Sequence, residues 1–523
     1  MEFPLTRTLS VIQLVLLLLA LSFILHRRLR RRPTTPSASL PPGPRPLPLI
    51  GNFLNIGTLP HQSCAMLARK YGPIMTIHLG AVTTVVISSA SAAQEMFKQH
   101  DAALAGRYVY EAINLKNGNE GSVITAQPGP RWRSLRRLQN TMFFTSSRLE
   151  AMRGVRAGCV DTLMRRITAA SGGGTQPVNV SKLMFLTMFD HIGRIALSRD
   201  VLLDSDWDQI GGAFLYHASQ IMELMGKPNS ADYVPSLRRL DPQGIKKKME
   251  FHIGSLLKLV SSFVMERIAG GVRDDKDKDF LDMLLEFAQN QVDEDTKLSP
   301  TAININIVET LIAGTDSSAG TMEWAMAELM HKPSTLKKVQ EELRRSIHPG
   351  KKIEEKDVVE LPYLNAVIKE ALRMHPPVPF LIPHKSTKAC TVMGYHIPRD
   401  TQILVNSWGI GRQEKLWDDP DDFQPERFIK DGGIDYKGNH FHFIPFGSGR
   451  RICPGIPLVQ RMLPLVLGTM LYKFDWVLPD GMKAEDMDMR ERLGTTLRKA
   501  VQLRAIPVSY KAEEGINGVA GDQ

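Results

Sequence analysis

Cysteine is scarce in this chain, which has four in 523 residues. They lie far apart and form no CxxC pair, which excludes a zinc cluster built from paired cysteines. So few cysteines in so long a chain also argue against a secreted protein held together by disulfides. The globular part is therefore expected to face a reducing compartment, the cytosol. The cysteines are Cys64, Cys159, Cys390 and Cys453.

Nucleotide-binding signatures are missing as well. No GxGxxG motif follows a predicted strand, so a dinucleotide-binding unit is not expected. The glycine-rich residues 447–449 lack the GK[ST] ending of a phosphate-binding loop. The net charge of +10, from 65 basic and 55 acidic residues, is moderate for this length and does not imply nucleic-acid binding.

A long apolar run stands at the amino terminus, where residues 9–25 carry no charge. As a helix, this run spans roughly 26 Å, close to the roughly 27 Å apolar core of the endoplasmic reticulum membrane. Arginines at positions 27, 28, 30, 31 and 32 follow and mark the cytosolic side. A cleaved signal peptide would instead carry its basic residues before the run and a small-residue cleavage site after it. We therefore predict a single-pass transmembrane anchor in the endoplasmic reticulum membrane, with the globular part in the cytosol.

The composition divides the chain into four segments. Residues 1–32 are predicted to form the anchor and its basic stop. Residues 33–52 are predicted to form a proline-rich hinge, because consecutive prolines fix φ and lack backbone donors. No long linker or repeat interrupts residues 53–510, which predicts one large domain, and residues 511–523 are predicted to form a disordered tail.

The large domain is predicted to be mainly α-helical, with small β-sheets that include strands at 74–79 and 83–87. Its longest helix is predicted to begin with a cap at Ser299 and a first-turn Pro300, and to end just before Pro333. Such a helix has about 33 residues and a length of roughly 50 Å. It would cross the whole domain.

Residues 313–318, with the sequence Ala-Gly-Thr-Asp-Ser-Ser, interrupt the apolar pattern near the middle of this helix. Glycine and consecutive polar groups lower helix propensity, so a compensating benefit is expected. One interpretation is a helix that merely bends, with Ser317 hydrogen-bonded back to a carbonyl. The other is a helix opened locally to admit water for chemistry.

The most informative stretch is a glycine-rich loop around a cysteine, residues 445–455. Its arginines and backbone N–H groups suit a metal-bound thiolate, although an isolated cysteine is more often a buried structural residue. The whole phrase resembles the haem-ligand loop of cytochromes P450. The matching positions are Phe446, Gly449, Arg451, Cys453 and Gly455. The resemblance implies the cytochrome P450 fold and haem b with an axial thiolate from Cys453, held non-covalently because the chain has no CxxCH motif.

The resemblance extends to residues 313–318, which match the oxygen-activating helix of the same family. It implies that Asp316 and Ser317 supply the protons that O2 activation consumes. The chain departs from the usual pattern at one position, where Ser317 replaces the more usual threonine. The hydroxyl is kept, but without the methyl group it is expected to be placed less firmly.

Three charged residues match a further family pattern. Glu370 and Arg373 lie three apart on a helix predicted at 363–374, where such pairs share one face. Arg427 follows in the sequence Pro-Glu-Arg-Phe at 425–428. Exposed charge pairs of this spacing contribute little to stability and alone do not indicate a function. The resemblance, however, implies that the three residues form a buried structural triad on the haem side of the core.

Haem carries two propionates that need cationic or donor partners, and the resemblance nominates Trp132, Arg136, His384 and Arg451. Phe446 is expected beside the thiolate. From the residues alone, Trp132 fits a core position, Arg136 a solvated one and His384 a loop equally well.

By the same resemblance, substrate is expected to lie against residues from several mostly apolar segments. Such a pocket suits a small hydrophobic molecule. The sequences at 228–233, 240–244 and 487–497 are similar to those of plant members, particularly the geraniol-hydroxylase-like group. A terpenoid is therefore the first expectation, and a phenolic, flavonoid or alkaloid the next. The nominated residues are Tyr108, Thr310, Ala313, Val378, Leu381, Thr495 and Thr496.

The expected function is a haem-thiolate monooxygenase that inserts one atom of O2 into this molecule. Electrons from NADPH would arrive through a separate NADPH–cytochrome P450 reductase, because the chain shows no dinucleotide or flavin unit. Two alternatives stay open: an enzyme of the same type that rearranges or couples its substrate without oxygen insertion, and a non-catalytic membrane haem sensor.

Arginines 131, 133, 136 and 137 form either a solvated face or a docking site for an acidic redox partner.

Overall fold

The structure is a computed structural model that describes residues 39–114, 119, 121–199, 212–271, 273, 278–291 and 296–510. The predicted anchor, its arginines and the tail lie outside the described residues. Among the helices that are described, none has both the length and the apolar character needed to cross a membrane.

Helices make up most of the described residues, as predicted. Those of the first half are α1 (Phe53–Ile56), α2 (Pro60–Tyr71), α3 (Ala90–Gln99), α4 (Asp101–Leu104), α5 (Pro130–Leu138), α6 (Ser146–Ala151), α7 (Arg153–Ala170), α8 (Val180–Leu197), α9 (Gly212–Met225), α10 (Ser230–Tyr233) and α11 (Ile245–Gly270). Those of the second half are α12 (Phe280–Asn290), α13 (Pro300–His331), α14 (Pro333–Ser346), α15 (Glu355–Val358), α16 (Pro362–Met374), α17 (Ser407–Ile410), α18 (Arg427–Lys430) and α19 (Ile456–Lys473).

The strands form small sheets, which confirms the predicted class. They are β1 (Ile74–Leu79), β2 (Val82–Ile87), β3 (Gly106–Arg107), β4 (Val178–Asn179), β5 (His384–Lys385), β6 (Cys390–Val392), β7 (Tyr395–Ile397), β8 (Gln402–Val405), β9 (Phe474–Val477), β10 (Glu491–Leu493), β11 (Leu497–Lys499) and β12 (Arg504–Ser509). The largest sheet has the order β1-β2-β8-β5-β3. The smaller ones pair β4-β12-β9, β6-β7 and β10-β11.

The two strands predicted near the start of the domain are confirmed and form a hairpin, with β2 beginning one residue earlier than expected. β1 and β2 pair antiparallel from Ile74 opposite Ile87 to Leu79 opposite Val82. The described part of the hinge packs against this hairpin, where the Thr76 N–H donates to the Pro42 carbonyl at 2.9 Å. A Cβ on Gly43 would lie 1.8 Å from the Thr76 oxygen, so only glycine fits at that point.

The long central helix is confirmed as α13, which has 32 residues and therefore a length of about 48 Å. The Ser299 side chain caps it by accepting the Ala302 N–H. Pro300 occupies its first turn, and Pro333 follows its end at His331. The helix is continuous through residues 313–318, so it is not opened locally in this structure.

Two apolar clusters pack on successive parts of α13. One is built on residues 302–311 together with side chains of α8, α9, α11 and α12. The other is built on residues 319–330 together with side chains of α14, α16 and α19. The polar residues 313–318 lie between the two clusters, where α8 approaches closely: a Cβ on Gly314 would lie 2.9 Å from Cδ1 of Ile192. The fold therefore confines the polar interruption to the boundary between two well-packed halves.

Candidate active site

The loop around Cys453 is held by its own backbone and by α4. The Cys453 N–H donates to the Phe446 carbonyl at 3.0 Å, which closes the loop. Gly449 has a φ of 66°, a left-handed conformation that favours glycine. A Cβ there would also lie 2.6 Å from Oδ1 of Asp101, while the other oxygen of Asp101 accepts the Arg450 N–H at 3.0 Å. The glycine is therefore required both by the turn and by the approach of α4.

The Cys453 sulfur lies where a negative charge can be held. Burial raises the pKa of the Cys453 thiol, whereas the N–H groups of Gly455 and Ile456 and the charge of Arg136 lower it. These N–H groups belong to the start of α19, whose amino terminus carries the positive end of the helix dipole. By contrast, burial alone raises the pKa of Cys64 to about 12. A cation bound to the Cys453 sulfur would offset the cost of burying its negative charge. Haem iron does this for a thiolate ligand.

A cluster of buried guanidinium groups lies beside the Cys453 loop. Arg107, Arg136 and Arg451 are 5%, 9% and 8% exposed. Within the described part of the chain, none of them has a carboxylate within ion-pair distance. Burial lowers the pKa of Arg451 to about 10, helped by Arg136, and lowers the pKa of Arg107 strongly, helped by both other arginines.

This cluster fits a ligand that carries two carboxylates. Buried like charges are costly unless they are paired with anions. In this structure the three arginines donate to carbonyl oxygens, for example from Arg136 to Ile452 at 2.7 Å and from Arg451 to Ala126 at 2.6 Å. Carbonyls supply hydrogen bonds but no net negative charge. The two haem propionates would supply the missing charge next to the thiolate.

Trp132 and His384 lie against the same cluster. The guanidinium of Arg451 lies 4.0 Å from the centre of the Trp132 ring, and the indole N–H donates to the Val123 carbonyl at 3.1 Å. His384 Nδ1 lies 2.8 Å from the Leu104 carbonyl oxygen, so Nδ1 carries a proton. Burial and the charge of Arg107 hold the pKa of His384 well below its ordinary value. The neutral ring can therefore donate to a propionate from Nε2 only after it gains a second proton.

The structure brings Trp132, Arg136, His384 and Arg451 to one place, together with Arg107, which the sequence did not indicate. Arg107 on β3 lies directly opposite His384 on β5 in the sheet register. It donates to the Ile382 carbonyl at 2.6 Å. A lone arginine in a short apolar stretch carries no local signal of this position, because its neighbour comes from a distant strand.

Asp316 is tied to the segment that follows β10. Its carboxylate accepts the Thr496 hydroxyl at 2.5 Å and forms an ion pair with Arg498 of β11. Asp316 is buried, while burial lowers the pKa of Arg498 to about 10. Arg498 was not among the residues nominated from the sequence. Thr496, nominated as a substrate residue, has its hydroxyl directed to Asp316 instead of being free for substrate.

Ser317 points to a different surface of α13. Its hydroxyl donates back to the Ala313 carbonyl at 2.8 Å, as in the first interpretation of this segment. Thr310, Ala313 and Ser317 recur at spacings of three and four, so they share one face of the helix. Ala313 is exposed and the other two are partly exposed, although this stretch of α13 runs through the interior of the protein. This face therefore borders internal free space.

The remaining nominated substrate residues come from three separate segments. Val378 and Leu381 form a tight turn in which the Leu381 N–H donates to the Val378 carbonyl at 2.9 Å. This turn approaches the cysteine loop, because a Cβ on Gly447 would lie 3.7 Å from Cδ1 of Leu381. The Tyr108 N–H donates to Pro383, and the Thr495 hydroxyl donates to the Met222 carbonyl of α9. Like the Thr496 hydroxyl, the Thr495 hydroxyl therefore already donates a hydrogen bond to another protein group.

Glu370, Arg373 and Arg427 come together in the core. Arg373 binds both oxygens of the Glu370 carboxylate, at 2.7 and 2.8 Å, and Arg427 donates to one of them at 3.0 Å. The side chains of Glu370 and Arg373 have no exposed surface. Arg373 also donates to the carbonyls of Gly411 and Pro420, so the triad links α16 to the segment that leads to α18.

Comparisons with known proteins agree with this arrangement. A family model described as Cytochrome P450 matches residues 41–504. The chain is 42% identical to geraniol 8-hydroxylase of Catharanthus roseus, over 90% of this chain and 94% of that protein. It is 41% identical to iridoid oxidase of the same plant, over 94% of this chain and 95% of that protein.

A likeness in structure supports the fold alone. A zebra fish cytochrome P450 solved with abiraterone superposes with a TM-score of 0.75 at 24% identity, covering 87% of this chain and all of that one. The family match extends over most of the chain, and it includes the cysteine loop and the central helix described above. The chain belongs to the cytochrome P450 family and is a monooxygenase that carries haem with a cysteine thiolate as axial ligand.

Proposed function

We propose that this protein hydroxylates a small hydrophobic plant metabolite, with a terpenoid as the first candidate and a phenolic, flavonoid or alkaloid as the next. Two similar plant proteins are named for terpenoid substrates, geraniol and an iridoid. The face of α13 that carries Thr310, Ala313 and Ser317 offers mostly methyl groups and short hydroxyls to the internal space. Such a wall suits an apolar substrate with few polar groups.

The cofactor supplies the oxygen chemistry: haem with a thiolate ligand binds O2 and favours cleavage of its O–O bond. The protein residues hold and orient this group. Cys453 provides the thiolate, and Phe446 packs at the base of its loop. Trp132, Arg136 and Arg451, joined by Arg107, would hold the propionates. His384 would join them in its doubly protonated form, which nearby propionates would favour.

Ser317 is the proposed proton donor nearest the internal space. Its Oγ–H is held by the Ala313 carbonyl, which also accepts the regular helical N–H of Ser317. The hydroxyl can therefore turn toward the internal space without leaving that carbonyl unpaired. A donor that turns at low cost suits repeated proton transfer.

Asp316 is the proposed residue that replaces the proton. Its carboxylate is fixed by Thr496 and Arg498, and the Arg498 side chain is 23% exposed. The acid is thus buried next to the helix face that carries Ser317, while its ion-pair partner reaches toward solvent. This arrangement would bring protons from outside to one defined position on α13.

The proposed electron donor is a separate NADPH–cytochrome P450 reductase. On α5, Arg133 and Arg137 are exposed, whereas Arg136 is directed inward to the Cys453 loop. Arg450 beside that loop has a side chain that is 56% exposed. These three exposed arginines form a basic surface next to the thiolate, suited to an acidic partner.

The proposed location is the endoplasmic reticulum membrane. It rests on the sequence of residues 1–32, with residues 33–52 as the hinge, 53–510 as the catalytic domain and 511–523 as a tail. A fusion of the first 32 residues to a fluorescent protein would test this assignment. Extraction of the fusion by alkaline carbonate would contradict a transmembrane anchor.

The observation that carries the proposal is the position of Cys453 beside three buried guanidinium groups, for which the described residues supply no carboxylate within ion-pair distance. The test is the reduced carbon-monoxide difference spectrum of the purified protein. We expect a band near ~450 nm in the wild type and in a Cys390→Ser control, and its loss in Cys453→Ser. Incubation with the reductase, candidate terpenoids and 18O2 then tests the reaction. Product without 18O would point to rearrangement or coupling, and absence of turnover across the panel would point to a sensor.

A further inference from the structure

Glu309 is a partly buried acid on α13 that the mechanism above does not use. It lies one turn before Ala313, and its carboxylate turns toward the segment of residues 121–126. One oxygen accepts the Ser122 hydroxyl, and the other accepts the Val123 N–H at 2.9 Å and the Ile124 N–H at 3.5 Å. A single side chain thus binds three successive residues of this segment.

Other residues of α13 hold the same segment. Asn306 donates to the Gly121 carbonyl, and a Cβ on Gly121 would lie 2.4 Å from Cα of Ala302. Positions 302, 306 and 309 lie on one stripe of the helix. The segment therefore lies flat against α13, with Glu309 binding its N–H groups.

The carbonyl groups of the segment point the other way, toward the buried cationic cluster. The Val123 carbonyl accepts from the Trp132 indole at 3.1 Å and from Arg451 at 3.3 Å. The Ala126 carbonyl accepts from Arg451 at 2.6 Å, and the Ile124 carbonyl accepts from Arg107 at 3.1 Å. The peptide unit between Val123 and Ile124 thus donates its N–H to Glu309 and offers its carbonyl to Trp132 and Arg451, and the neighbouring carbonyls of the segment bind Arg107 and Arg451.

We propose that Glu309 is a positioning residue for the haem cradle: by fixing residues 122–124 it sets the orientation of Trp132, Arg107 and Arg451 toward the propionates. The inference rests on the proposed role of these three residues as propionate partners. A carboxylate is suited to this task because bonds from N–H groups to a charged acceptor are stronger than bonds to a neutral one. Burial raises the pKa of Glu309 to about 7, whereas the bonds from Ser122, Val123 and Ile124 lower it. In its ionised form Glu309 also polarises the peptide unit between Val123 and Ile124, which strengthens the Val123 carbonyl as an acceptor for Arg451.

The chain contains a matched control for this role. Glu323 lies on the same helix and is buried. Its carboxylate likewise accepts a serine hydroxyl, that of Ser181, and a backbone N–H, that of Leu503, at 3.1 Å. It makes none of the described contacts with residues 121–126. If acids on α13 only stabilise the fold, then Glu309→Gln and Glu323→Gln should accelerate haem loss to a similar extent.

The experiment measures haem loss from the purified holoprotein by transfer to apomyoglobin, together with the midpoint reduction potential. We expect Glu309→Gln to release haem about tenfold faster than the wild type and to shift the potential, because a neutral amide cannot accept from all three donors. Glu323→Gln is expected to release haem within about twofold of the wild-type rate, whatever its effect on the melting temperature. Equal acceleration in both variants, or none in Glu309→Gln, would overturn the proposal.

A second variant keeps the test valid if Glu309→Gln does not retain haem on purification. Ser122→Ala removes one donor to Glu309 and leaves the two backbone donors. It is expected to accelerate haem loss by a smaller factor, and an unchanged rate would count against the proposal.

The carbon-monoxide spectrum of the wild type distinguishes failure of the proposed function from failure of the proposed role of Glu309. Without a wild-type band near ~450 nm the proposed function fails, whereas a normal band with unchanged haem loss in the variants refutes only the role of Glu309.

Discussion

Asp316 on the central helix and Arg498 on β11 form an ion pair, although they are far apart in the sequence. Thr496, two residues before Arg498, donates to the same carboxylate. The acid proposed for proton supply is therefore held by the segment that also carries Thr495, a nominated substrate residue. A movement of this segment on substrate binding would move the partners of Asp316.

Replacing Arg498 tests this relationship. Arg498→Gln leaves a buried carboxylate without its cationic partner, so we expect a loss of about 1 to 3 kcal/mol in stability and less product per NADPH consumed. Melting temperature and product yield with a reductase measure the two effects. Arg492 lies opposite Arg498 in the β10–β11 register and is exposed, so Arg492→Gln is the matched control. Equal melting temperatures and equal product yields in the two variants would contradict a role for the Asp316–Arg498 pair in stability and proton supply.

Ser317 offers a second test of proton supply. Threonine at this position keeps the hydroxyl and restricts rotation about χ1, so Ser317→Thr is expected to raise the fraction of NADPH electrons that appear in product. Ser317→Ala removes the hydroxyl and is expected to lower this fraction, with more hydrogen peroxide. Peroxide and product are measured in the same reaction. A higher yield in the alanine variant than in the wild type would rule out Ser317 as a proton donor.

The triad of Glu370, Arg373 and Arg427 is expected to be essential for folding. Glu370→Gln leaves Arg373 buried without its full counter-charge, which costs about 3 to 5 kcal/mol. The variant is therefore expected to accumulate little haem-loaded protein, measured by the carbon-monoxide spectrum per unit of purified chain. Glu414→Gln disrupts an exposed pair with Arg69 and is expected to have little effect. Normal haem loading of Glu370→Gln would show that the triad is dispensable.

The sequence predicted the parts of this site that depend on local patterns. The cysteine loop is a contiguous phrase, and α13 is bounded by a cap and two prolines that act within a few residues. Helical spacing also placed Arg133, Arg136 and Arg137 close together. It did not indicate that Arg136 is directed inward while the other two are exposed, because that depends on how α5 packs.

The residues missed from the sequence are those whose partners are distant in the chain. Arg107 meets His384 through strand pairing, Arg498 meets Asp316 across the core, and Glu309 meets residues 122–124 through the packing of a loop on α13. None of these positions shows a local motif. The direction of each side chain is set by tertiary packing, so a periodic pattern carries no information about it.

The basic surface on α5 makes a prediction about electron transfer. Arg133→Glu reverses a charge on that surface, so we expect the reductase concentration needed for half-maximal turnover to rise about three- to tenfold at low salt. The difference is expected to shrink as salt is raised, because exposed charges are screened. Lys247 is an exposed residue of α11, so Lys247→Glu serves as the control for a change in net charge. Equal effects of the two reversals would argue against docking at α5.

Asp232 on α10 makes stability depend on pH. Burial raises the pKa of Asp232 from 3.8 to about 6, aided by Glu111 and opposed by the Glu111 N–H, which donates at 2.5 Å, and by Arg238. Because the folded pKa lies above the ordinary value, folding favours the protonated acid. The stabilisation from this group is complete below pH 3.8 and is lost as the pH rises through about 6.

Asp232→Asn stays neutral at every pH and keeps an oxygen that can accept the Glu111 N–H. The melting temperature of this variant relative to the wild type is therefore expected to rise as the pH increases from 3.8 to about 6 and then to level off. Glu414→Gln, which changes an exposed carboxylate, is the control for a general effect of removing one negative charge. If the curves of Asp232→Asn and the wild type stay parallel across this range, then Asp232 is already ionised at pH 5. Its burial would in that case be fully offset by Arg238 and the Glu111 N–H.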